Sequence, residues 1–233
     1  MYFYKCLSII DIMIPNLLTL KFTKLTFILS LFFLNLCLIV PANAKHIVIF
    51  GDSLSAAYGM DIEQGWVHLL NQSLNEKYNV SNASISGETT AGGLARLPLT
   101  LDTLKPDIVI IALGANDGLR GYSANTLADD LTAMVTLVKE HNATPVFAGI
   151  SIPPSYGPRY IEQIRAVFPT VATQNDIKLI ELFRDDFFNT PEFIQSDGLH
   201  PTVITQPLIR DMILSFLIEQ SLIEQVLIDN KPS

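Results

Sequence analysis

Cysteine is nearly missing from these 233 residues, with only Cys6 and Cys37 present. Both stand in the N-terminal segment 1–44, so residues 45–233 hold none. That excludes a disulfide framework, a thiolate zinc site and a cysteine nucleophile from the body of the chain. Charge is scarce too, at 16% of residues, and it leans acidic: 15 Lys and Arg against 23 Asp and Glu, a net of −8. A nucleic-acid binder presents clustered Lys and Arg to phosphate, and this balance argues against one. The 12 glycines and 13 prolines follow no short period, which removes collagen-like and low-complexity readings. What is plentiful is apolar. A hydrophobic share of 49% and a mean hydropathy of +0.35 exclude a disordered chain, and the length suits one sizeable domain.

Part of that hydropathy sits in residues 1–44. Lys21 and Lys24 precede an apolar run from Leu25 to Val40, interrupted by Thr26, Ser30 and Asn35, and Pro41-Ala42-Asn43-Ala44 follows. A charged flank, 16 largely apolar residues and an A-x-A pattern mark a secretory signal peptide, with cleavage expected after Ala44. The run is short for a membrane span, and an uncleaved anchor would leave the A-x-A unexplained. A lipoprotein needs a small residue before its Cys, whereas Leu36 precedes Cys37. Met13 offers a second start with a more usual signal length. Cleavage removes Lys5, Lys21, Lys24 and Asp11, leaving 12 basic and 22 acidic residues and a net of −10. The expectation is a single domain, 45–233, in the periplasm or secreted, monomeric and without stable membrane insertion.

Within that domain, apolar runs recur about every 30 residues. They are Ile47–Phe50, the weaker Tyr78–Val80, Ile108–Leu113, Pro145–Ile150 and Lys178–Leu182. The first and third are continuous rather than alternating, as in strands covered on both faces. Helix-period stripes lie between: Trp66, Leu69, Leu70 and Leu74; then Leu127, Leu131, Met134, Val135 and Val138; then Ile161, Ile164, Val167, Phe168 and Val171, with Pro169 interrupting. A last helix is expected over Pro207–Ile223, with Asp61 and Ser123 as N-caps earlier in the chain. The tail after Ile228 reads as frayed. Strand and helix in alternation imply right-handed βαβ units, a parallel sheet and one α/β domain.

In open parallel sheets, chemistry gathers at the carboxyl ends of the strands. Those ends carry Gly51-Asp52-Ser53-Leu54-Ser55, Ser86-Gly87-Glu88-Thr89, Gly114-Ala115-Asn116-Asp117 and Asp197-Gly198-Leu199-His200-Pro201. Singly, each has an ordinary reading: Ser53 as an N-cap, Gly87 as a turn glycine, Asn116 as an Asx-turn residue, His200 as a surface histidine. Their common place at strand ends is what favours a site. A serine hydroxyl needs a base, and His200 can take the Ser53 proton. Asp197, three residues before it, can accept the other imidazole N–H and hold the tautomer. The backbone N–H groups of Ser53 and Gly87, with the Asn116 amide, can form an oxyanion hole. A neutral His200 as base implies activity that rises with pH as the imidazole loses its proton.

These blocks resemble those of the SGNH (GDSL) hydrolase family. Asn82-Ala83-Ser84-Ile85-Ser86-Gly87, Gly93-Leu94-Ala95-Arg96-Leu97-Pro98 and Asn116-Asp117-Gly118-Leu119-Arg120-Gly121 are similar to those of its TesA-type periplasmic esterases, described as thioesterase, arylesterase and lysophospholipase enzymes. The resemblance runs from about Ile47 to the final helix. It implies a three-layer flavodoxin-like fold with a five-stranded parallel sheet in the order 2-1-3-4-5. It also implies Ser53 as nucleophile and a mobile loop over about Gly118–Ala124 that closes on an acyl chain. Asp52 and Leu119 join the expected substrate-binding set.

The remaining features are less specific. His46 reads as a tolerated strand opener, His68 as a packing residue, and His141 as a residue suited to a helix end. No metal site or nucleotide loop is visible, and no cofactor is expected. Ile152, Pro153 and Tyr156, after the fourth run, could wall an acyl groove. The expected function is an exported serine esterase acting on small-molecule, single-acyl-chain esters and thioesters. Acyl-CoA, polyanionic and cytoplasmic, suits an exported acidic protein poorly. The alternatives are a carbohydrate O-acetyl esterase on the same frame, a non-catalytic lipid- or glycan-binding protein, and a membrane-tethered enzyme that keeps its signal.

Overall fold

Five residues in a row at Ile108–Ala112 are buried, a pattern possible only for a strand with a layer on each face. In the computed structural model, which describes residues 44–182 and 190–224, this strand, β3, lies at the centre of a five-stranded parallel sheet. Its companions are β1 (Lys45–Gly51), β2 (Tyr78–Asn82), β4 (Thr144–Gly149) and β5 (Lys178–Glu181), in the spatial order β2-β1-β3-β4-β5. Register follows burial: Ile49 pairs with Ile110, and Ile110 with Val146. The edge strands β2 and β5 are only partly buried, and the run that forms β2 is the weaker one in the sequence.

The helices are α1 (Trp66–Ser73), α2 (Thr90–Leu104), α3 (Ala115–Leu119), α4 (Ala124–Glu140), α5 (Pro158–Asn175) and α6 (Gln206–Glu219). Helix α1 packs on α6 and β2, while α2, α4 and α5 pack in succession, giving the three-layer arrangement. Leu127, Leu131, Met134, Val135 and Val138 are all buried on α4, as their spacing predicts, and Ser123 accepts from the Thr126 N–H at 3.1 Å as its N-cap. Each such apolar side chain contributes about 1.5–3 kcal/mol through burial.

The first helical stripe needs correction. On α1 the buried residues are Trp66, Val67 and Leu70, whereas Leu69 and Leu74 are half-buried. Asp61 heads the short 3-10 turn Ile62–Gln64 and does not cap α1, which starts after Gly65. Its first N–H, on Trp66, instead donates to Oε1 of the buried Gln206, 3.0 Å away at the start of α6. Helix α2 is absent from the sequence reading altogether. Leu97 and Leu101 carry its buried face, and Gly92, Gly93 and Pro98 obscure the pattern. Helix α5 continues through Pro169, which can supply no N–H to the preceding turn. The final helix ends at Glu219, short of the expected Ile223. The expected signal segment up to residue 43 and the tail after Ile228 lie outside the described residues.

Candidate active site

All the singled-out blocks meet at the carboxyl edge of the sheet. Strand β1 ends at Gly51, and the chain turns at once to present Ser53. A Cβ on Gly51 would stand 3.0–3.1 Å from Ser55 Oγ, Ala112 O and Ser84 Oγ, so the tight approach of this turn to β3 needs glycine. Strand β3 leads to Gly114, whose φ of 120° launches α3 and with it Asn116.

Ser53 Oγ lies 2.8 Å from His200 Nε2, and His200 Nδ1 lies 2.6 Å from Asp197 Oδ2. An ionised carboxylate only accepts, so Nδ1 carries the ring proton and Nε2 is free to accept from the serine. Asp197 Oδ1 also accepts the backbone N–H groups of Leu199 (2.9 Å) and His200 (3.0 Å). Burial pushes the Asp197 carboxyl up, but the bonds from the His200 ring and these N–H groups outweigh it and hold the carboxyl below the usual aspartate range. The aspartate therefore remains an anion beneath the imidazole.

Among the described residues, no acceptor takes the N–H of Ser53 or of Gly87. Two donors left without acceptors remain free to receive a developing oxyanion. The third expected donor, Asn116 Nδ2, gives one hydrogen to Asp52 Oδ2 at 3.2 Å and keeps its second. Gly87, at φ +80°, has its carbonyl held by Arg120 Nη2 at 3.0 Å.

The expected substrate-binding set is only partly brought together. Asp52 is 0% exposed and cannot touch a substrate; it receives the Leu54 N–H at 3.0 Å and the Asn116 amide instead. Burial pushes its carboxyl up to about 7; the bonds from Leu54 and Asn116 oppose this, and the nearby Asp117 charge adds to it. Ile152 is also buried, packed under Gly118 as part of the core and not on an open groove wall. Pro153 is half-buried and heads the 3-10 turn Pro154–Tyr156. Tyr156 is exposed and donates its hydroxyl to Leu119 O at 3.1 Å, while Tyr160 Oη lies 3.1 Å from Gly118 O and 2.9 Å from Tyr122 O. Gly118 and Leu119, expected to open a loop, are the last turn of α3.

Sequence reasoning missed several residues around the site. Asp117, buried, accepts from both the backbone N–H (3.0 Å) and the hydroxyl (2.6 Å) of Thr90, tying α3 to the start of α2. Arg96 pairs with Glu88 at 2.5 Å and lies over the Phe50 ring, bracing the chain just after Gly87. Tyr58 stacks on the His200 ring, and Gln195 bonds its carbonyl. Asp117 and Arg96 were visible as residues of the matched blocks; nothing in periodicity marks Tyr58 or Gln195.

Comparison with known proteins agrees with this geometry. Residues 49–205 match the GDSL-like Lipase/Acylhydrolase family. The chain is 44% identical over 169 residues to the esterase TesA of Pseudomonas aeruginosa, an alignment covering 71% of this chain and 84% of that protein. It is 40% identical over 195 residues to an arylesterase of Vibrio mimicus, covering 82% and 96%. It is also 40% identical over 183 residues to thioesterase 1/protease 1/lysophospholipase L1 of Escherichia coli K12, covering 78% and 88%. A crystal structure of TesA superimposes with a TM-score of 0.72 at 42% identity, over 74% of this chain and 98% of that one.

Proposed function

Since the chain belongs to the GDSL-like lipase/acylhydrolase family and is a serine hydrolase of ester and thioester bonds, we propose that Ser53, His200 and Asp197 carry out acyl transfer on single-acyl-chain substrates. The observation that carries this assignment is the continuous hydrogen-bonded path from Ser53 Oγ through the imidazole to Asp197.

Ser53 Oγ attacks the carbonyl carbon while its proton passes to His200 Nε2. The carbonyl π pair moves onto oxygen, where the N–H groups of Ser53 and Gly87 and the second amide hydrogen of Asn116 receive it. Asp197 stabilises the imidazolium without taking its proton. Collapse expels the alcohol or thiol, which leaves with the proton from His200. Water then attacks the acyl-enzyme with His200 again as base, releasing the acid and restoring Ser53.

Leu119, Pro153 and Tyr156 form the acyl-side rim, with Ile152 supporting it from beneath. The segment from Gly118 closes on the chain when the Tyr156 bond to Leu119 O and the Tyr160 bonds to Gly118 O and Tyr122 O exchange. The substrate range is that of the relatives' names: lysophospholipids and aryl or thio esters. Residues 1–44 act as a signal peptide removed after Ala44, which places the working enzyme in the periplasm or outside the cell. Among the described residues no helix is long and apolar enough to cross a membrane.

The test is hydrolysis of p-nitrophenyl esters from acetyl to palmitoyl by the protein and its Ser53→Ala variant. Turnover peaking at medium or long chains and lost in the variant is the expected result. A profile confined to acetyl would point to a deacetylase, and no serine-dependent turnover would overturn the mechanism. Intact mass of the exported protein reads the cleavage: a chain beginning at Lys45 is expected.

A further inference from the structure

The catalytic imidazole has two faces, and one of them is covered. The Tyr58 ring lies on it with centroids 4.0 Å apart and planes inclined by 24°. Tyr58 belongs to neither expected catalytic loop and is itself 47% exposed, so burial of its own surface does not explain its position. Two features hold it there.

The first is backbone conformation. Tyr58 sits between Ala57 at φ +56° and Gly59 at φ +75°, both in the left-handed region. A non-glycine residue pays about 1 kcal/mol or more to adopt that region, and Ala57 does so here. The packing accommodates it: Gly65 lies where a Cβ would come within 2.8 Å of the Ala57 methyl.

The second is Gln195. Its side-chain amide has two hydrogens, and its Nε2 donates to Tyr58 O and to Pro201 O, each at 2.9 Å. Its backbone N–H donates to His200 O at 2.7 Å. One residue thus fastens the turn bearing Tyr58 to the loop bearing His200. The fit leaves little room, since a Cβ on Gly59 would meet Gln195 Oε1 at 2.6 Å.

From this geometry we propose that Tyr58 is a positioning residue for His200: its ring, held by the turn and by Gln195, keeps the imidazole in line with Ser53 and stabilises the imidazolium formed during attack. The proposal rests on the acyl-transfer reading above. Asp197 and Ser53 hold the imidazole only in its own plane, through Nδ1 and Nε2. Rotation out of that plane is resisted by the stacked ring. Once His200 takes the serine proton, the cation faces the negative π face of the phenol, an attraction absent from the neutral ground state. An interaction stronger in the transition state than in the ground state raises kcat and leaves KM largely alone.

The experiment compares Tyr58→Leu and Tyr58→Phe with the parent protein in two measurements. One is steady-state hydrolysis of p-nitrophenyl acetate, hexanoate and octanoate. The other is the NMR of the His200 ring protons, identified by their loss in His200→Gln. Tyr58→Leu is expected to lower kcat about tenfold, with KM changed by less than about twofold at every chain length. Tyr58→Phe, which keeps the ring, should restore most of kcat. The His200 ring protons should move downfield in Tyr58→Leu, where the ring current is lost, and stay in place in Tyr58→Phe. Wild-type kcat in Tyr58→Leu would overturn the proposal. So would a loss confined to KM and growing with chain length, which would make Tyr58 a wall for substrate. Unmoved ring protons in Tyr58→Leu would deny the stack itself. A parent protein without turnover would remove the acyl-transfer reading and the catalytic role together, while the ring shift would still report the stack.

Discussion

Asn116 and Asp52 share a hydrogen bond of 3.2 Å, and through it a fully buried acid determines which end of an amide faces the nucleophile. With Nδ2 directed at Asp52 Oδ2, the same nitrogen's second hydrogen is left for the oxyanion. Asp52 accepts at both oxygens, from Leu54 and from Asn116. An amide in its place has only one accepting atom for these two donors. Asp52→Asn is therefore expected to lower kcat about 10- to 100-fold with little change in KM, as measured by steady-state kinetics.

The same acid makes stability depend on pH. Its carboxyl is raised from 3.8 to about 7 in the folded protein. Between those values the folded chain keeps a proton that the unfolded chain has lost, so stability from this group falls as pH rises through the window. Below it the penalty is absent; above it the penalty is complete. Asp52→Asn removes the titration, so the variant should gain on the wild type between pH 5 and pH 8 by on the order of 2 kcal/mol. Urea denaturation of both proteins at the two pH values checks this, and Asp197, common to both, cancels in the difference.

The two remaining polar members of the site should separate by size of effect. Asn116→Ala removes one oxyanion donor and is expected to cost ~100- to 1000-fold in kcat. Asp197→Asn leaves the shape intact but favours the wrong imidazole tautomer, and ~10,000-fold is expected. Single-turnover rates of acylation with a p-nitrophenyl ester measure both.

Away from the chemistry, Gly93 lets α2 pack closely on β1, the end of β3 and α4. A Cβ there would lie 2.5 Å from Leu113 Cδ1, 3.1 Å from Met134 Cε and 3.2 Å from Phe50 Cε1. Gly93→Ala should raise helix propensity and still destabilise the protein by about 1–3 kcal/mol through overpacking, read as a lower urea midpoint. A midpoint equal to the wild type would mean that Leu113 and Met134 can withdraw.

The sheet is readable in the sequence because its central strands are covered on both faces and so appear as unbroken apolar runs. Ile47–Phe50 and Ile108–Ala112 need no other signal. The catalytic loops are readable because strand ends are where parallel sheets expose their chain. Helix α2 escapes because its close contacts use Gly93 and Thr90 where a periodic stripe would carry large apolar residues. His46 escapes for another reason. Its ring bonds Leu104 O at 2.9 Å and Ser81 Oγ at 2.8 Å, joining β1 to elements far along the chain, so it is more than a tolerated opener. Asp52, expected among the substrate-binding residues, instead turns inward to the Leu54 N–H and the Asn116 amide, a burial that only the folded turn creates. Tyr58 and Gln195 act through contacts that exist only once the loops have met.

Ser53 and His200 touch across 147 residues of chain. The nucleophile follows the first strand, and its base stands just before the last helix, so the site is among the longest-range contacts in the domain. A chain emerging N-terminus first exposes its serine long before the histidine arrives, and in that interval the serine is an ordinary alcohol. Hydrolytic power thus switches on only when nearly all of the sheet and its covering helices have assembled. Partly made copies carry the nucleophile yet cannot hydrolyse the esters on which the assembled site acts.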